Sequence, residues 1–148
     1  MVTNDNNYVI FKVNDLFCAL SCLDVQEIIR DLSKITNIAQ SPSYIDGVIN
    51  LRGKIVTVIN LPHYFELEYK KSDKDSIIIV DEEDEQIGLL VSEVIDVIDV
   101  SHIEIENTPA VPHKINPLYV KSVMQMEKEI VAILNVHEIL EVDLIESE

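Results

Sequence analysis

Residues 42–61, P-S-Y-I-D-G-V-I-N-L-R-G-K-I-V-T-V-I-N-L, decide the fold. Val48-Ile49-Asn50-Leu51 is a short strand of residues suited to a half-buried pleated surface. Lys54 to Ile59 (K-I-V-T-V-I) is a second, dense in β-branched side chains that are stiff at χ1. Arg52-Gly53 joins them, and glycine accepts the positive φ that a two-residue hairpin turn demands. The spacing predicts a β-hairpin with Arg52 at or beside its tip, its guanidinium free to reach a partner. Gly47 opens the first strand after Pro-Ser-Tyr, a turn or a single helical turn. Local pattern alone also allows a solvated arginine on an ordinary hairpin.

Working outward, 148 residues make one ordinary domain or two very small ones, long enough to bury a real core. Hydrophobic content of 47% is globular, and three glycines with five prolines argue against low complexity. Tryptophan is absent, so the core must be aliphatic. A net charge of −16 weighs against nucleic acid and anionic membrane surfaces as partners. The charge is uneven: residues 1–80 hold 8 Lys/Arg against 10 Asp/Glu, and residues 81–148 hold 3 against 17. The cationic features that could interest a partner therefore lie in the first half. Cys18 and Cys22, spaced C-x3-C on a strand, form neither a zinc pair nor a redox C-x-x-C motif and read as buried thiols. With no apolar leader and no membrane-length apolar run, a soluble, cytoplasmic protein is expected.

Tyr8–Val13 and Leu16–Ser21 read as a second hairpin around Asn14-Asp15. Leu23 to Ile29 alternates with period 2, placing Leu23, Val25 and Glu27 on one face. Residues 30–41 read as loop and edge strand, Leu61–Phe65 as a short helix with Pro62 near its start, and Glu66–Asp75 as a charged linker. The second half then repeats the first. Ile77–Val100 aligns on Tyr8–Asp31 with offset 69, and Pro117–Val136 on Pro42–Leu61 with offset 75, both without gaps. The six extra residues fall most simply near 106–113. Matching turns at a shared period are an architectural signal. The fold class expected is all-β: two small five-stranded barrels related by the internal repeat, with units 8–67 and 77–140. Short helices accompany them, including one at Val136–Val142. Whether strands exchange between the units stays open. Arg52-Gly53-Lys54 faces Glu127-Lys128-Glu129 in the alignment, so the two hairpin tips differ in sign.

Catalytic signatures are missing from this pattern. His63, His102, His113 and His137 are scattered, with no i, i+4 pair. Asp81–Glu85 lacks the glycine and closing glutamate of a calcium loop and reads as a solvated turn. There is no Gly-rich phosphate loop and no nucleophile elbow. No cofactor or metal is implied, and no enzyme is expected.

The hairpin stretch strongly resembles the signature of CheW-type chemotaxis coupling proteins, as do V-Q-E-I at Val25–Ile28, I-I-I-V at Ile77–Val80 and I-G-L-L-V-S-E-V at Ile87–Val94. The resemblance covers about residues 7–142, with 1–6 and 143–148 as disordered tails. It implies two SH3-like barrels, in agreement with the repeat. It also implies a non-enzymatic adaptor of a two-component signalling system. Such an adaptor holds the CheA histidine kinase, through its regulatory domain, against the cytoplasmic tips of chemoreceptor coiled coils in membrane-bound arrays. With no receiver, phosphotransfer or ATP-binding segment in the sequence, the free-standing form is expected. Whether copies join one another in array rings stays open.

Carried over by position, the receptor-binding residues implied are Val25, Glu27, Gly47, Arg52, Ile77, Val94 and Val97. Aliphatic side chains would bury a receptor helix in helix-in-groove fashion, Arg52 would take a carboxylate, and Gly47 would permit close backbone approach. The kinase-facing residues are not located. The chain departs from the usual pattern at Asn60, Pro62, Ser92-Glu93 and Ser122. Two further readings are a barrel that takes a peptide or small ligand in its cleft, and a small hydrolase run by Glu27 and Asp46.

Overall fold

The computed structural model describes residues 6–39, 41–82, 84–107 and 114–140. Residues 1–5 of the expected N-terminal tail, the whole expected C-terminal tail 143–148, the loop 108–113 with His113, and the last two residues of the expected C-terminal helix lie outside them. In chain order the first half holds β1 (Asn7–Val13), β2 (Leu16–Ser21), β3 (Val25–Ile29), β4 (Ile45–Leu51), β5 (Lys54–Asn60) and helix α1 (Leu61–Tyr64). The second holds β6 (Ser76–Glu82), β7 (Glu85–Val91), β8 (Glu93–Asp99), β9 (Ile105–Glu106), β10 (Val120–Met126), β11 (Glu129–Leu134) and helix α2 (136–140).

The strands follow the β-branched runs. The central turn forms as its residues require: Arg52 sits at φ 52° and Gly53 at φ 86°, the left-handed pair of a type I′ turn. β4 and β5 run antiparallel on either side, with Ile49 opposite Val56. The repeat is realised in detail. Asn7 and Ser76 open β1 and β6, and Ile45 and Val120 open β4 and β10, so both offsets hold. Glu127, aligned with Arg52, has the same φ of 52°. Asn60 and Asn135 cap the two short helices: Asn60 Oδ1 accepts from His63 N (3.0 Å) and Asn135 Oδ1 from Glu138 N (3.3 Å).

Strands do exchange between the sequence units. One sheet runs β3-β6-β7-β5-β4 and the other β8-β1-β2-β11-β10-β9. The β6–β7 hairpin of the second half completes the barrel of β3–β5, and β1–β2 of the first half completes that of β8–β11. The exchange repeats to the residue: Val25 pairs with Val80 and Val94 with Phe11, while Ile28 pairs with Ile78 and Val97 with Val9. The parallel pairs match too, Thr57 with Ile87 and Ala132 with Cys18. The result is two small SH3-like barrels, with five strands in one and six in the other among the described residues, the sixth being the two-residue β9.

Three apolar clusters hold them. Ile49, Val56, Val58, Ile77, Ile79 and Leu90 fill the first barrel, and Ile10, Ala19, Val100, Met124, Val131 and Ile133 the second. A shared core between the sheets draws Phe11 and Leu20 from one and Ile59, Ile78, Val80 and Leu89 from the other. There the repeat-related Tyr44 and Tyr119 pack on Tyr64 at 5.1 and 5.2 Å between ring centroids. The Tyr64 hydroxyl donates to Ile139 O at 2.9 Å, tying α1 to α2.

Three expectations need correction. Leu23 lies in the turn before β3, exposed, and does not share a strand face with Val25 and Glu27. A bulge between Val25 and Glu27 breaks the period-2 alternation. The acidic turn is shorter than Asp81–Glu85, since Asp81 and Glu82 end β6 and Glu85 opens β7. The charged linker ends in Asp75, a buried carboxylate rather than a solvated one.

Candidate functional site

The I′ turn throws Arg52 outward, and the bulge in β3 turns Glu27 toward it. Arg52 Nη1 donates to Glu27 Oε1 at 2.6 Å. The hydrogen bond that Arg52 donates to Glu27, and then the Glu27 charge, raise the guanidinium pKa above its ordinary value. Arg52 stands in the turn at the end of β4 and Glu27 lies in β3, and these are the two outer strands of the five-stranded sheet. The ion pair therefore joins edges that no backbone ladder among the described residues connects, and it marks where this barrel closes.

Beside the pair lies a groove of about 300 Å³ lined by Glu27, Ile29, Lys34, Ile49, Asn50, Leu51 and Arg52. Ile29, Ile49 and Leu51 give it an apolar floor, while Glu27, Arg52 and Lys34 give it a charged rim. Asn50 Oδ1 accepts from Gly53 N at 2.9 Å and stiffens the turn that presents Arg52. Such a surface buries an apolar stripe and fixes its register through one carboxylate or guanidinium.

The seven residues singled out from sequence fall into three groups. Glu27 and Arg52 meet at the groove. Val25, Val94 and Val97 lie on the shared-core side of β3 and β8: Val25 and Val94 pack on the shared core, while Val97 is 50% exposed. Gly47 and Ile77 point inward. Ile77 is 0% exposed within the first barrel's core, opposite Ile29, so it has no side-chain surface to offer a partner. At Gly47 (φ 148°) an added Cβ would stand 2.1 Å from Thr36 O. The close approach that Gly47 permits is the protein's own loop, which bridges to Val48 through Thr36 N–Val48 O (2.8 Å) and Val48 N–Thr36 O (2.9 Å).

Ile29, Ile49 and Leu51 were not singled out. The signal was present, since Ile29 follows Glu27 by two residues and Ile49 and Leu51 follow Gly47 by two and four, the spacing of one strand face. Glu27 is engaged by Arg52, and Asp46 faces Asn60 Nδ2 at 3.4 Å, so the two acids proposed for hydrolysis have separate partners. Among the described residues, no cluster of three His, Cys, Asp or Glu could hold a metal ion. No helix among them is long and apolar enough to cross a membrane. Cys18 is buried, which pushes its thiol up to about 12 and makes it inert; Cys22 is part-exposed.

Two strand-exchanged barrels with an apolar, charge-rimmed groove at a sheet edge define a protein-docking scaffold. The CheW-like domain family matches residues 7–143, and the chain belongs to the CheW family of chemotaxis scaffold proteins. It is 33% identical over 134 residues to the chemotaxis protein CheW of Bacillus subtilis, covering 90% of this chain and 85% of that one. It is 25% identical over 146 residues to the CheW of Treponema pallidum, covering 94% and 85%. The crystal structure of the scaffolding protein TtCheW from Thermoanaerobacter tengcongensis superposes with a TM-score of 0.83 at 33% identity, covering 94% of each chain. The family is one of non-enzymatic adaptors.

Proposed function

We propose that this protein couples the cytoplasmic tips of chemoreceptors to the CheA histidine kinase by binding both, the receptor helix lying in the Glu27–Arg52 groove. The observation that carries this reading is the groove itself: an apolar floor of Ile29, Ile49 and Leu51 under an ion pair that a helix carboxylate can compete for. A receptor helix would bury its apolar stripe on that floor and exchange one of its acids for Glu27 on the Arg52 fork. Val25, Val94 and Val97 would extend the contact along the shared-core side of β3 and β8. The kinase regulatory domain would dock elsewhere on the barrels. Such coupling is linkage rather than chemistry: receptor state alters the kinase through contacts that differ between two assembly states. The work would be done in the cytoplasm, at membrane-bound receptor arrays.

Sedimentation of the protein with a receptor cytoplasmic fragment and a CheA regulatory domain tests the reading. The wild type is expected to form each binary complex and a ternary one. Arg52→Glu, on an exposed tip, should keep its thermal melt and kinase complex but bind the receptor fragment about tenfold or more weakly. Receptor binding unchanged by Arg52→Glu would remove the groove from the assignment.

A further inference from the structure

Asp75 has no role in the groove as described, yet it is the most heavily buried carboxylate among the described residues, at 2% exposure. Its Oδ2 accepts from the Tyr69 hydroxyl and from Ser72 N (3.2 Å), while Oδ1 is buried without a hydrogen-bond partner among the described residues. A carboxylate so placed is costly unless surrounding contacts hold it there. The segment between α1 and β6 is therefore fastened at this point.

Tyr69 supplies the fastening. Its ring packs on the first barrel's core cluster, the same cluster on which Ile29 and Leu51 rest and to which Ile49 belongs. Those three side chains are the groove floor. Tyr69 also meets His63 edge-on at 5.6 Å, and His63 Nδ1 lies 3.3 Å from Ser43 O, two residues before β4. One tyrosine thus touches the core beneath the groove and leans on the entry to the strand that leads to Arg52. Its hydroxyl pKa stands above the ordinary value, through burial first and the Asp75 hydrogen bond second, so it remains a donor at physiological pH.

We propose that Tyr69, anchored by Asp75, is a positioning residue for the groove: it fixes the packing of the first barrel's core and, through Ile29, Ile49 and Leu51, the spacing of Glu27 and Arg52. Tightly packed interiors transmit such displacements rather than absorb them. The inference rests on the groove being the receptor site, but its first readout does not.

Tyr69→Phe keeps the ring and removes the anchor. In the free protein, amide NMR shifts are expected to move at Glu27, Ile29, Leu51 and Arg52 and to stay in place along β10 and β11. The receptor fragment should bind roughly threefold to tenfold more weakly, with kinase-domain affinity unchanged. Adding Asp75→Asn to Tyr69→Phe should cost little more, because the two act as one unit. If Tyr69→Phe does not fold, Asp75→Asn alone is read by the same shifts. A lower melting temperature with groove amides and receptor affinity at wild-type values would make Tyr69 merely structural and overturn the proposal. Failure of the wild type to bind receptor would overturn the receptor reading instead, and the amide shifts would still decide the positioning role.

Discussion

Gly47 shows what a single missing Cβ does here. Its φ of 148° and the 2.1 Å separation from Thr36 O would both oppose any side chain. Gly47→Ala should cost ~3 kcal/mol or more in denaturant unfolding, from backbone displacement and strain together. Gly53→Ala is the comparison, because no described residue lies within 4 Å of an added Cβ and only the φ of 86° penalises it, at about 1–2 kcal/mol. Equal losses at the two sites would mean that the Thr36 bridge does not hold the barrel. Cys18 makes the second residue-scale prediction. Burial raises its thiol from 9.0 to about 12, so the unfolded chain releases this proton first as pH rises. The folded-state advantage is complete below pH 9.0 and is lost between there and about 12. Chemical denaturation from pH 8 to 11 should therefore lose stability less steeply in Cys18→Ala, by about 1 kcal/mol or more at the top of that range. Parallel curves would refute a buried, neutral thiol.

At the scale of elements, the β4–β5 hairpin and its helix depend on a few polar contacts. Asn60 is buried, caps α1 through His63 N and reaches Asp46 Oδ1 with its amide. Asn60→Ala should cost ~1–2 kcal/mol, the usual loss for a cap. Asn60→Asp keeps the cap but sets a carboxylate beside Asp46 where the amide stood. It should therefore be less stable than wild type near pH 7 and recover as the pair is protonated in acid; a melt insensitive to Asn60→Asp would show that Asp46 is not that neighbour. The hairpin, its two-residue turn and the repeat were legible from sequence, because glycine, β-branching and alternation each act locally. The bulges at Val25/Glu27 and Ile45/Gly47 were not, because one extra residue in a ladder leaves no compositional trace. The hairpin spacing therefore put Arg52 at an exposed tip and the resemblance gave Glu27 and Arg52 a common role, but their meeting across two sheet edges became visible only in three dimensions. Ile77 entered the site by resemblance alone, and local pattern could not correct it, because an aliphatic strand residue reads alike whether it faces a partner or a core.

At the scale of the whole molecule, the exchange of hairpins escaped the sequence for the same reason. β3 lies against apolar side chains whether its neighbour is β1 or β6: Val25 meets Val80, and Phe11 of β1 is the repeat counterpart of Val80. The exchange has a consequence that no self-contained pair of repeats would share. The pairings β3–β6, β5–β7, β1–β8 and β2–β11 all join the first half to the second. A chain cut between Leu67 and Glu68 yields one fragment with β1–β5 and one with β6–β11, and each lacks strands of both barrels. Each fragment alone should be unfolded or aggregated by circular dichroism, because the shared core and both sheet edges would stand open. Mixed, they should form a 1:1 folded heterodimer that dissociates on dilution, since joining two chains now costs roughly 4–15 kcal/mol of lost translational and rotational freedom. A first fragment that folds alone as a stable monomer would mean that its strands can pair within their own repeat, and the exchange would then be one option for this sequence rather than its requirement.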